Sequence, residues 1–390
     1  MSHAAVLIPG LERIGGAEKQ ALLLAMGLRT RGWRVSVMAL SGRGAQAVTE
    51  LRDAGVEFLS LEMRKGLADP RGWIRLNRWL RREQPDVVHA HLPHAAWMAR
   101  WSRLAAPVPV VIDTLHSSST GKIGRRLGYA LSRWLPDQVT AVSHATAESH
   151  VGARMVSPKT LCTIPNGIDV EQWRPDEQTR AQLRSALGLR EEFLWLAVGR
   201  LEPVKDYPTL LCAMKQGPQS TQLVILGDGP QRGELLQMIE RLGLRRRVRL
   251  LGFETAVRDW MQAADGFVLA SRYEGLPMVL LESGACGLPA VATNVAGSRE
   301  VIVNGETGWL ACAEGADALL AVMSRLMRVS AAERRAMGER ARRSVIQRFS
   351  LDSVLNRWES LYRELLDWRA EGKNRLRPRE AFTRHNATEA

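Results

Sequence analysis

The sequence predicts an α/β protein with two doubly wound domains, each a parallel sheet covered by helices on both faces. Three observations lead to this prediction: the chain length, the alternation of strand-like and helix-like segments, and the restart of that alternation in the second half. At 390 residues, the chain is too long for one ordinary hydrophobic core. Strands that alternate with helices of about 10–15 residues are typical of βαβ units and parallel sheets.

Two series of elements follow one another along the chain. Short runs rich in β-branched residues predict strands in the first half at 4–8, 35–38, 56–59, 86–89, 108–112 and 139–142. Helix-like stretches lie between these strands at 17–29, 71–82, 95–104 and 123–134. The second series has predicted strands at 193–198, 222–226, 248–251, 266–270, 289–293 and 309–311. Strongly periodic stretches at 331–345 and 351–366 predict two late helices.

The segment 164–169 (IPNGID) interrupts this pattern with Pro and Asn-Gly, and a polar stretch at 174–182 follows it. We place the domain boundary there, with one Rossmann-like domain over 1–168 and a second over 169–349. A ligand is expected in the cleft between the domains, facing the carboxyl ends of both sheets. The basic tail at 369–390 is polar and poor in apolar residues, so we expect it to be disordered.

Composition excludes several classes of protein. Apolar residues make up 45% of the chain and charged residues 24%, which is the balance of a soluble globular protein. No apolar run reaches the roughly 18–20 residues that a bilayer-spanning helix needs, and no signal-peptide pattern precedes the first strand, so we expect a cytosolic protein. The four cysteines are widely spaced, which predicts neither a disulfide framework nor a zinc site.

The net charge of +13 is the unusual bulk property, and it comes mainly from arginine, because only seven lysines are present. A basic balance is compatible with nucleic acid, an anionic membrane or a phosphate-bearing ligand as partner. Compositional bias explains it equally well. Charge alone therefore does not choose a function.

The segment 271–282 (SRYEGLPMVLLE) is the sharpest local signal. It follows a predicted strand, and Gly275 permits a loop that approaches a ligand closely, while Pro277 suits the first turn of a helix. The amino end of such a helix offers free N–H groups and a positive dipole end to a diphosphate. Glu282 lies more than one turn inside this apolar helix, where ribose hydroxyls or a structural arginine would satisfy its carboxylate.

A second signal is the segment 198–206 (VGRLEPVKD), which also follows a predicted strand. Arg200 and Lys205 would place two cations beside a leaving diphosphate, and fixed cations stabilise the negative charge that develops there without a metal ion. The alternative interpretation is a pair of exposed surface charges. Near the amino terminus, Gly15 and Gly16 open a helix after the first strand. They form either a phosphate-binding turn or a plain tight turn.

Three histidines fall at predicted strand ends. His89 and His91 share one face of a strand, and His116 ends a later segment that also contains Asp113. A zinc site would need a further carboxylate or histidine close by. Hydrogen bonding to sugar hydroxyls or to an acceptor is the preferred interpretation, and a satisfied core position remains the alternative for His89 and His91.

Together, these segments resemble the retaining family 4 glycosyltransferases of the GT-B fold, in which two Rossmann-like domains face each other across a cleft. The resemblance runs from about residue 4 to 366, with the motifs in family order. It is carried by the Glu-x7-Glu pair Glu274 and Glu282, by Gly199-Arg200-Leu201 with Lys205, and by the segments 15–18 (GGAE), 164–169 (IPNGID), 226–230 (LGDGP) and 251–253 (LGF).

The resemblance implies a role for each candidate residue. Arg200 and Lys205 would hold the diphosphate, and Glu282 would hydrogen-bond the nucleotide ribose. Glu274 would hold the donor sugar and phosphate together with the backbone of Gly275, Leu276 and Pro277. Gly199 would belong to the donor site, Gly15 and Gly16 would approach the donor from the N-terminal domain, Phe253 would border the base, and His116 would lie near the reacting sugar. A last helix at 350–368 would cross back to the N-terminal domain.

Such enzymes take a nucleotide diphosphate sugar as donor and use neither a metal ion nor another cofactor. Retention without an enzymic nucleophile implies front-face attack, in which the departing phosphate helps to deprotonate the acceptor. UDP-hexose is favoured over GDP-mannose by family frequency alone. Surface polysaccharide or lipopolysaccharide assembly is the process in which relatives commonly act.

The N-terminal domain is expected to hold the acceptor, with His89 and His91 on the acceptor side. Two basic amphipathic stretches with aromatic residues lie there, at 71–82 and 122–129. Such helices can lie on the anionic inner face of a membrane, which suits a lipid-linked glycan acceptor. The alternative is an ordinary surface helix with its tryptophans in the core.

Three other functions stay open. A GT-B nucleotide-sugar 2-epimerase shares the architecture, although the Glu-x7-Glu arrangement is not expected in it. A basic nucleic-acid-binding protein would explain the charge, but no recognised nucleic-acid module is present, so we expect no nucleic-acid partner. A synthase of the starch or sucrose type is possible within the class, although the chain is short for those groups.

Overall fold

The computed structural model describes residues 1–12, 15–42, 44–64, 69–121, 123–312 and 314–372. The chain divides into two compact units. Unit 1 comprises Met1–Gly167 and the chain from Leu351 onward, and unit 2 comprises Ile168–Ser350. Each unit is built around a parallel sheet with helices packed on it, as the fold class predicted.

Unit 1 contains a seven-stranded sheet. Its strands are β1 (His3–Gly10), β2 (Arg34–Ser41), β3 (Glu57–Ser60), β4 (Val87–His91), β5 (Val110–Leu115), β6 (Gln138–Ala141) and β7 (Leu161–Thr163). They lie in the order β3-β2-β1-β4-β5-β6-β7, and every neighbouring pair is parallel. The short strand β7 was not predicted, because three residues carry almost no periodic signal.

Six helices connect these strands. They are α1 (Gly16–Thr30), α2 (Ala45–Asp53), α3 (Pro70–Glu83), α4 (Pro93–Ser102), α5 (Ile123–Ser132) and α6 (His144–Gly152). Strand alternation divides the unit 1 core between the two faces of the sheet. Ala4, Val6 and Ile8 of β1 belong to one buried cluster, and Ala5 and Leu7 belong to another.

Unit 2 contains a six-stranded sheet. Its strands are β8 (Phe193–Val198), β9 (Thr221–Leu226), β10 (Val248–Gly252), β11 (Gly266–Leu269), β12 (Ala290–Thr293) and β13 (Gly308–Ala311). They lie in the order β10-β9-β8-β11-β12-β13, again all parallel. The six predicted strands of this half all exist, each within two residues of its predicted ends.

The helices of unit 2 are α7 (Glu177–Ala186), α8 (Tyr207–Gln216), α9 (Arg232–Arg241), α10 (Val257–Ala263), α11 (Met278–Ala285), α12 (Ala296–Arg299), α13 (Ala316–Arg328) and α14 (Ala331–Phe349). Helix α7 begins inside the polar stretch that the sequence marked as a break. Asp176 caps it, and Arg180 and Arg184 both pair with Asp265, at 2.5 and 2.8 Å. Ion pairs therefore hold a helix that has no fully buried residue.

The last helix, α15 (Leu351–Ala370), belongs to unit 1. Leu355, Trp358 and Tyr362 lie in the same buried cluster as Ala4, Val6 and Ile8 of β1. The buried residues of α1 belong to this cluster too. The helix runs to Ala370, so the predicted tail begins later than residue 369. Residues 373–390 lie outside the described part of the chain. No helix in the described part combines the length and apolarity that crossing a bilayer requires.

Both sheets reverse their winding direction once. In unit 1, β2 and β3 are added on one side of β1, and β4 is then added on the other side. In unit 2 the same reversal occurs, with β9 and β10 on one side of β8 and β11 on the other. In open α/β sheets, ligands bind outside the carboxyl ends of the strands at such a switch point. A ligand-binding site is therefore expected among the residues that follow β1, β4, β8 and β11.

Candidate active site

Two loops meet at the switch point of unit 2. One follows β8 and contains Arg200 and Lys205, and the other follows β11 and contains Glu274 before α11 begins. The strands are hydrogen-bonded neighbours, so the carboxyl ends bring the two loops together. Both of the sharpest signals in the sequence therefore converge on one end of one sheet.

Lys205 and Glu274 form an ion pair between these loops. The Nζ atom of Lys205 lies 2.6 Å from Oε1 of Glu274, and the side chains retain 19% and 14% of their exposure. The hydroxyl of Ser271 donates a second hydrogen bond to the same oxygen, at 2.6 Å. A lysine and a carboxylate fixed in this way are preorganised, and they remain within reach of solvent.

A second ion pair joins the same two segments, but here the cation follows β11 and the carboxylate follows β8. Arg272 donates from Nε to Asp206 at 3.0 Å, and its backbone N–H donates to the carbonyl of Val204 at 2.9 Å. Ser271, Asp206 and Arg272 were not among the predicted site residues. The available signal was that each is a polar residue within three positions of a candidate, inside one of the two segments.

The glycine-rich segment 226–230 supports the loop after β8. The N–H of Leu201 donates to the carbonyl of Asp228 at 3.0 Å, and the N–H of Gln231 donates to the carbonyl of Leu201 at 3.0 Å. Gly227 has a φ of +144°, and a Cβ at this position would collide with the carbonyl oxygen of Gly199. The two loops can therefore approach only because position 227 has no side chain.

Arg200 is the more exposed of the two predicted cations. Its side chain retains 67% of its exposure, and its guanidinium pairs with Glu202 at 2.6 Å. A surface pair of this kind holds the side chain only weakly. Arg200 can therefore move to an anionic ligand, whereas Lys205 is already fixed.

Helix α11 begins at Met278 with Pro277 as its N-cap, and Pro277 makes no side-chain cap hydrogen bond. Gly275, Leu276 and Pro277 are buried in the turn that precedes it. Glu282 is 7% exposed, more than one turn into the helix. Phe253, which follows β10, is 79% exposed, an unusual state for a large apolar side chain.

In unit 1, Gly15 and Gly16 lie at the exposed amino end of α1, just after β1, while Ile14 lies outside the described residues. The N–H of Gly15 donates to the carboxylate of Glu18 at 3.1 Å. The carboxylate of Glu18 therefore already accepts a hydrogen bond from one N–H group at the amino end of α1, where the helix dipole favours a negative charge.

His89 is a core residue. It is 0% exposed, and its ring nitrogens are hydrogen-bonded to the hydroxyls of Tyr362 and Thr114, both at 2.6 Å. Burial lowers its pKa to about 3, so the ring is neutral. The expectation that His89 contacts an acceptor is therefore wrong, because both nitrogens are used inside the fold.

His91 and His116 are differently placed. Nδ1 of His91 lies 2.9 Å from Nε2 of His116, while Nε2 of His91 and Nδ1 of His116 have no hydrogen-bond partner in the described part of the chain. A cavity of about 20 Å³, space for roughly one water molecule, adjoins both rings. Burial lowers the pKa of His116 to about 4 and the pKa of His91 well below its usual value. Both rings are neutral hydrogen-bonding groups at pH 7.

Asp113 does not join these histidines as a metal ligand. Its carboxylate pairs with Arg100, with Nη2 at 2.7 Å and Nε at 3.2 Å, and both side chains are 1% exposed. Among the described residues, no group of three histidine, cysteine, aspartate or glutamate side chains is arranged to hold a metal ion.

The two basic amphipathic helices of unit 1 differ in what they expose. On α3, Trp79 is buried at 5% exposure, and Ile74 is its large exposed apolar residue. On α5, Ile123, Leu127 and Leu131 are 73%, 57% and 70% exposed, spaced four residues apart on one face. Lys122 lies outside the described residues. The alternative of an ordinary surface helix fits α3, whereas α5 presents an apolar stripe to solvent.

Two family models match the chain in succession. They are Glycosyltransferase Family 4 over residues 14–172 and Glycosyl transferases group 1 over residues 179–344. The chain is 30% identical over 307 residues to N-acetyl-alpha-D-glucosaminyl L-malate synthase of Bacillus anthracis, covering 75% of this chain and 78% of that protein. It is 25% identical to UDP-Gal:alpha-D-GlcNAc-diphosphoundecaprenol alpha-1,3-galactosyltransferase of Escherichia coli, with coverages of 77% and 81%.

A solved structure gives the fold. The crystal structure of Anabaena HepE in complex with UDP-glucose superimposes with a TM-score of 0.82 at 22% identity, covering 93% of this chain and 99% of that one. At this identity the likeness speaks for the architecture alone. With the family matches and the Bacillus relative, it makes this chain a member of the group 1, family 4 glycosyltransferases with the GT-B fold.

Proposed function

We propose that this glycosyltransferase moves a hexosyl unit from a UDP-sugar to a glycan or lipid-linked glycan acceptor, with retention of configuration and without a metal ion. The observation that carries the donor assignment is the Lys205–Glu274 ion pair beside the exposed Arg200, at the switch point of the unit 2 sheet. Two cations at that place suit a diphosphate better than an uncharged ligand.

The proposed chemistry assigns the cations to the leaving group. When the bond between the anomeric carbon and the phosphate oxygen breaks, UDP gains negative charge, which Arg200 and Lys205 stabilise. The acceptor hydroxyl attacks from the same face, and its proton passes to the departing phosphate oxygen. Glu274 orients Lys205 and accepts hydrogen bonds from hexose hydroxyls, while the amino end of α11 binds phosphate oxygens.

The remaining donor contacts follow the family resemblance. Glu282 binds the ribose, and the exposed ring of Phe253 borders the base. In unit 1, Gly15 and Gly16 are assigned to donor binding, and His116 is assigned to contact with the reacting sugar. A neutral His116 can exchange hydrogen bonds with a sugar hydroxyl without adding charge, in agreement with the lowering of its pKa to about 4 by burial.

The choice of UDP over GDP-mannose is supported by two of the similar proteins. The E. coli relative is named for UDP-Gal, and HepE was crystallised with UDP-glucose. The same relative acts on a diphosphoundecaprenol-linked acceptor, which supports a lipid-linked glycan here and a role in surface polysaccharide or lipopolysaccharide assembly. His91 is retained as an acceptor-side residue.

A hydrolysis screen tests the donor assignment. The protein is incubated without acceptor with UDP-glucose, UDP-galactose, UDP-GlcNAc and GDP-mannose, and the released nucleotide and sugar are followed by NMR. We expect slow UDP release from one UDP-sugar, with the sugar first appearing as the α-anomer if the donor is an α-linked hexose. Turnover of GDP-mannose alone would contradict the donor choice. Conversion of UDP-GlcNAc into its 2-epimer would contradict the transferase assignment.

Contact with the cytosolic face of a membrane is part of the proposal, supported by the apolar stripe of α5 among basic residues. Flotation of the full chain with liposomes tests it, with and without acidic lipid. We expect the protein to float with acidic vesicles. Equal recovery in the two vesicle types, or no flotation at all, would contradict it.

A further inference from the structure

A groove on unit 1 lies at the switch point of its own sheet. Its volume is about 480 Å³, within the range of pockets that hold small molecules. Pro9 at the end of β1 and Leu92 just after β4 form its floor side, and Trp97 of α4 faces α5 across it. We call this feature the α4–α5 groove. The histidines described above line a different, much smaller cavity.

The walls of the α4–α5 groove are mainly apolar. Pro9, Leu92, Pro93, Trp97 and Tyr129 supply most of its lining. The indole of Trp97 is 44% exposed, and a Cβ on Gly128 would meet it at 3.0 Å, so the two helices close on each other there. The polar lining side chains are His94, Arg125 and Tyr129, which are few for a bare sugar with hydroxyls on every side.

One residue that lines this groove, Tyr129, has a buried polar atom without a partner in the described part of the chain. Tyr129 is 2% exposed, and its hydroxyl has no hydrogen-bond partner among the described residues. A buried hydroxyl without a partner is unfavourable, and a hydrogen bond to an acceptor atom of a ligand would relieve this cost. Burial also raises the pKa of Tyr129, so the hydroxyl keeps its proton and can donate it.

The sequence that forms one wall of the groove is basic. Residues 117–134 contain four cations and no aspartate or glutamate. Arg125 is the arginine of α5 that lines the groove. The buried Arg100 lies 4.3 Å from the Tyr129 ring centre, but Asp113 already neutralises it. An anionic group in the groove would therefore meet Arg125 and the Tyr129 hydroxyl.

The backbone at the floor is strained. Leu92 has a φ of +70°, which bulky residues rarely adopt, and it is the N-cap of α4. Strain of this kind persists where the surrounding structure fixes it, often at ligand sites. On the outer side of the groove, the exposed stripe of Ile123, Leu127 and Leu131 continues the apolar surface along α5.

We propose that the α4–α5 groove binds the lipid-phosphate part of the acceptor, an apolar chain that carries a phosphate or diphosphate, and that a hydroxyl of the glycan attached to this phosphate receives the sugar. The chain lies against Trp97 and Leu92, and the phosphate accepts hydrogen bonds from Arg125 and the Tyr129 hydroxyl. This inference rests on the proposed function and narrows its acceptor to a glycan linked to a lipid phosphate.

Equilibrium binding of geranylgeranyl diphosphate to the full chain tests this inference. We expect geranylgeraniol and inorganic diphosphate each to bind at least tenfold more weakly, because each lacks one half of the recognition. Saturating UDP should not displace the probe. Displacement by UDP would place the probe in the donor site and overturn the inference.

Substitutions in the groove provide the matched comparison. A Cβ on Gly124 meets no atom within 4 Å, and Gly124 lies one helical turn before Gly128, so Gly124→Leu fills the groove without a clash. We expect Gly124→Leu to weaken probe binding at least tenfold. Gly152→Leu on α6, where a Cβ also meets nothing, should bind as the wild type does. Equal binding by Gly124→Leu and wild type would overturn the inference.

Two polar substitutions test the head of the ligand. We expect Arg125→Gln to weaken binding of the diphosphate probe five- to tenfold and Tyr129→Phe threefold or more, without a change for geranylgeraniol. Arg126→Gln, the neighbour that does not line the groove, is the control and should change binding less than twofold. Equal losses for Arg125→Gln and Arg126→Gln would overturn the assignment of the head.

The donor-hydrolysis screen with the wild-type protein separates the two proposals. UDP-sugar hydrolysis without probe binding would leave the proposed function standing and remove the groove as lipid site. Probe binding without hydrolysis of any nucleotide sugar would remove the proposed function and leave a lipid phosphate site.

Discussion

Two polar clusters occupy the carboxyl ends of the two sheets, and they differ in charge. In unit 2, Lys205 and Glu274 form a 2.6 Å ion pair at the edge of solvent. In unit 1, His89, His91 and His116 are neutral because burial lowers their pKa values. Position at a strand end marks both clusters as candidates. Burial and hydrogen-bond saturation then decide which one can meet a diphosphate.

The histidine cluster is itself divided. His89 is joined on both sides to hydroxyls, and the second hydroxyl, Thr114, lies 2.7 Å from that of Thr140. His116 is partly exposed and has a ring nitrogen without a partner in the described residues. One histidine therefore stabilises the fold, and the other has a ring nitrogen that no described residue uses.

Loss of Lys205 should produce the largest effect. The variant Lys205→Ala removes a fixed cation from the leaving group, and we expect kcat to fall about 10²–10³-fold, the loss typical of one preorganised donor. Lys215→Ala on the exposed side of α8 is the control. A kcat within threefold of wild type for Lys205→Ala would remove the charged cluster from the mechanism.

Acid should destabilise unit 1 through its neutral histidines. Their pKa values are lowered in the folded protein, so the unfolded chain binds more protons below pH 6.5 and stability falls as pH decreases. Each such histidine should lower the free energy of unfolding by about 2 kcal/mol between pH 6.5 and 5. Urea unfolding followed by circular dichroism at both pH values measures it.

His91→Gln, which cannot take up a proton, should show a smaller loss over the same range. An identical pH dependence in wild type and variant would mean that His91 is not held neutral. Between pH 6 and 8 the titration of His116 should leave kcat unchanged, because its pKa of about 4 lies below that range.

Glu282→Ala tests the donor side with a smaller change. We expect the KM for the donor to rise about tenfold, or about 1.4 kcal/mol, with little change in kcat, because the ribose contact is equal in ground and transition states. Glu234→Ala on the exposed face of α9 is the control. A reduced melting temperature with unchanged KM would show that Glu282 is structural.

Tyr362→Phe should have the smallest effect, confined to stability. It removes the hydroxyl that is bonded to Nδ1 of His89, and we expect a loss of about 1 kcal/mol in the free energy of unfolding. Donor kinetics should not change. Tyr273→Phe, at an exposed tyrosine, is the control for stability. A kinetic defect in Tyr362→Phe with normal stability would argue that the His89 network acts in catalysis.

The predictable part of the fold is the part that periodic patterns encode. The alternation of apolar runs gave the strands of both sheets, and the fold class was correct. Strand β7 and helix α7 are among the elements that were not predicted. Strand β7 is too short for a pattern, and α7 is held by arginine pairs to Asp265 rather than by an apolar face. Helix α15 ends at Ala370, two residues beyond the end of the helix predicted at 350–368.

The candidate site was predictable in its segments but not in its contacts. Motif spacing brought Arg200, Lys205 and Glu274 forward as candidates. It could not reveal that Lys205 pairs with Glu274, or that Asp206 and Arg272 connect the same loops, because these contacts join segments about 70 residues apart. For His89, the sequence left two interpretations open, and burial decides in favour of the core.

The central claim is that unit 2 binds UDP through Arg200 and Lys205 without a metal ion. Calorimetric titration of UDP into the full chain in the presence of EDTA tests it most directly. We expect saturable binding in EDTA that weakens about tenfold in each of Arg200→Ala and Lys205→Ala and is unchanged in Lys215→Ala. Binding that appears only after a divalent cation is added, or that is equally tight in all three variants, would contradict it.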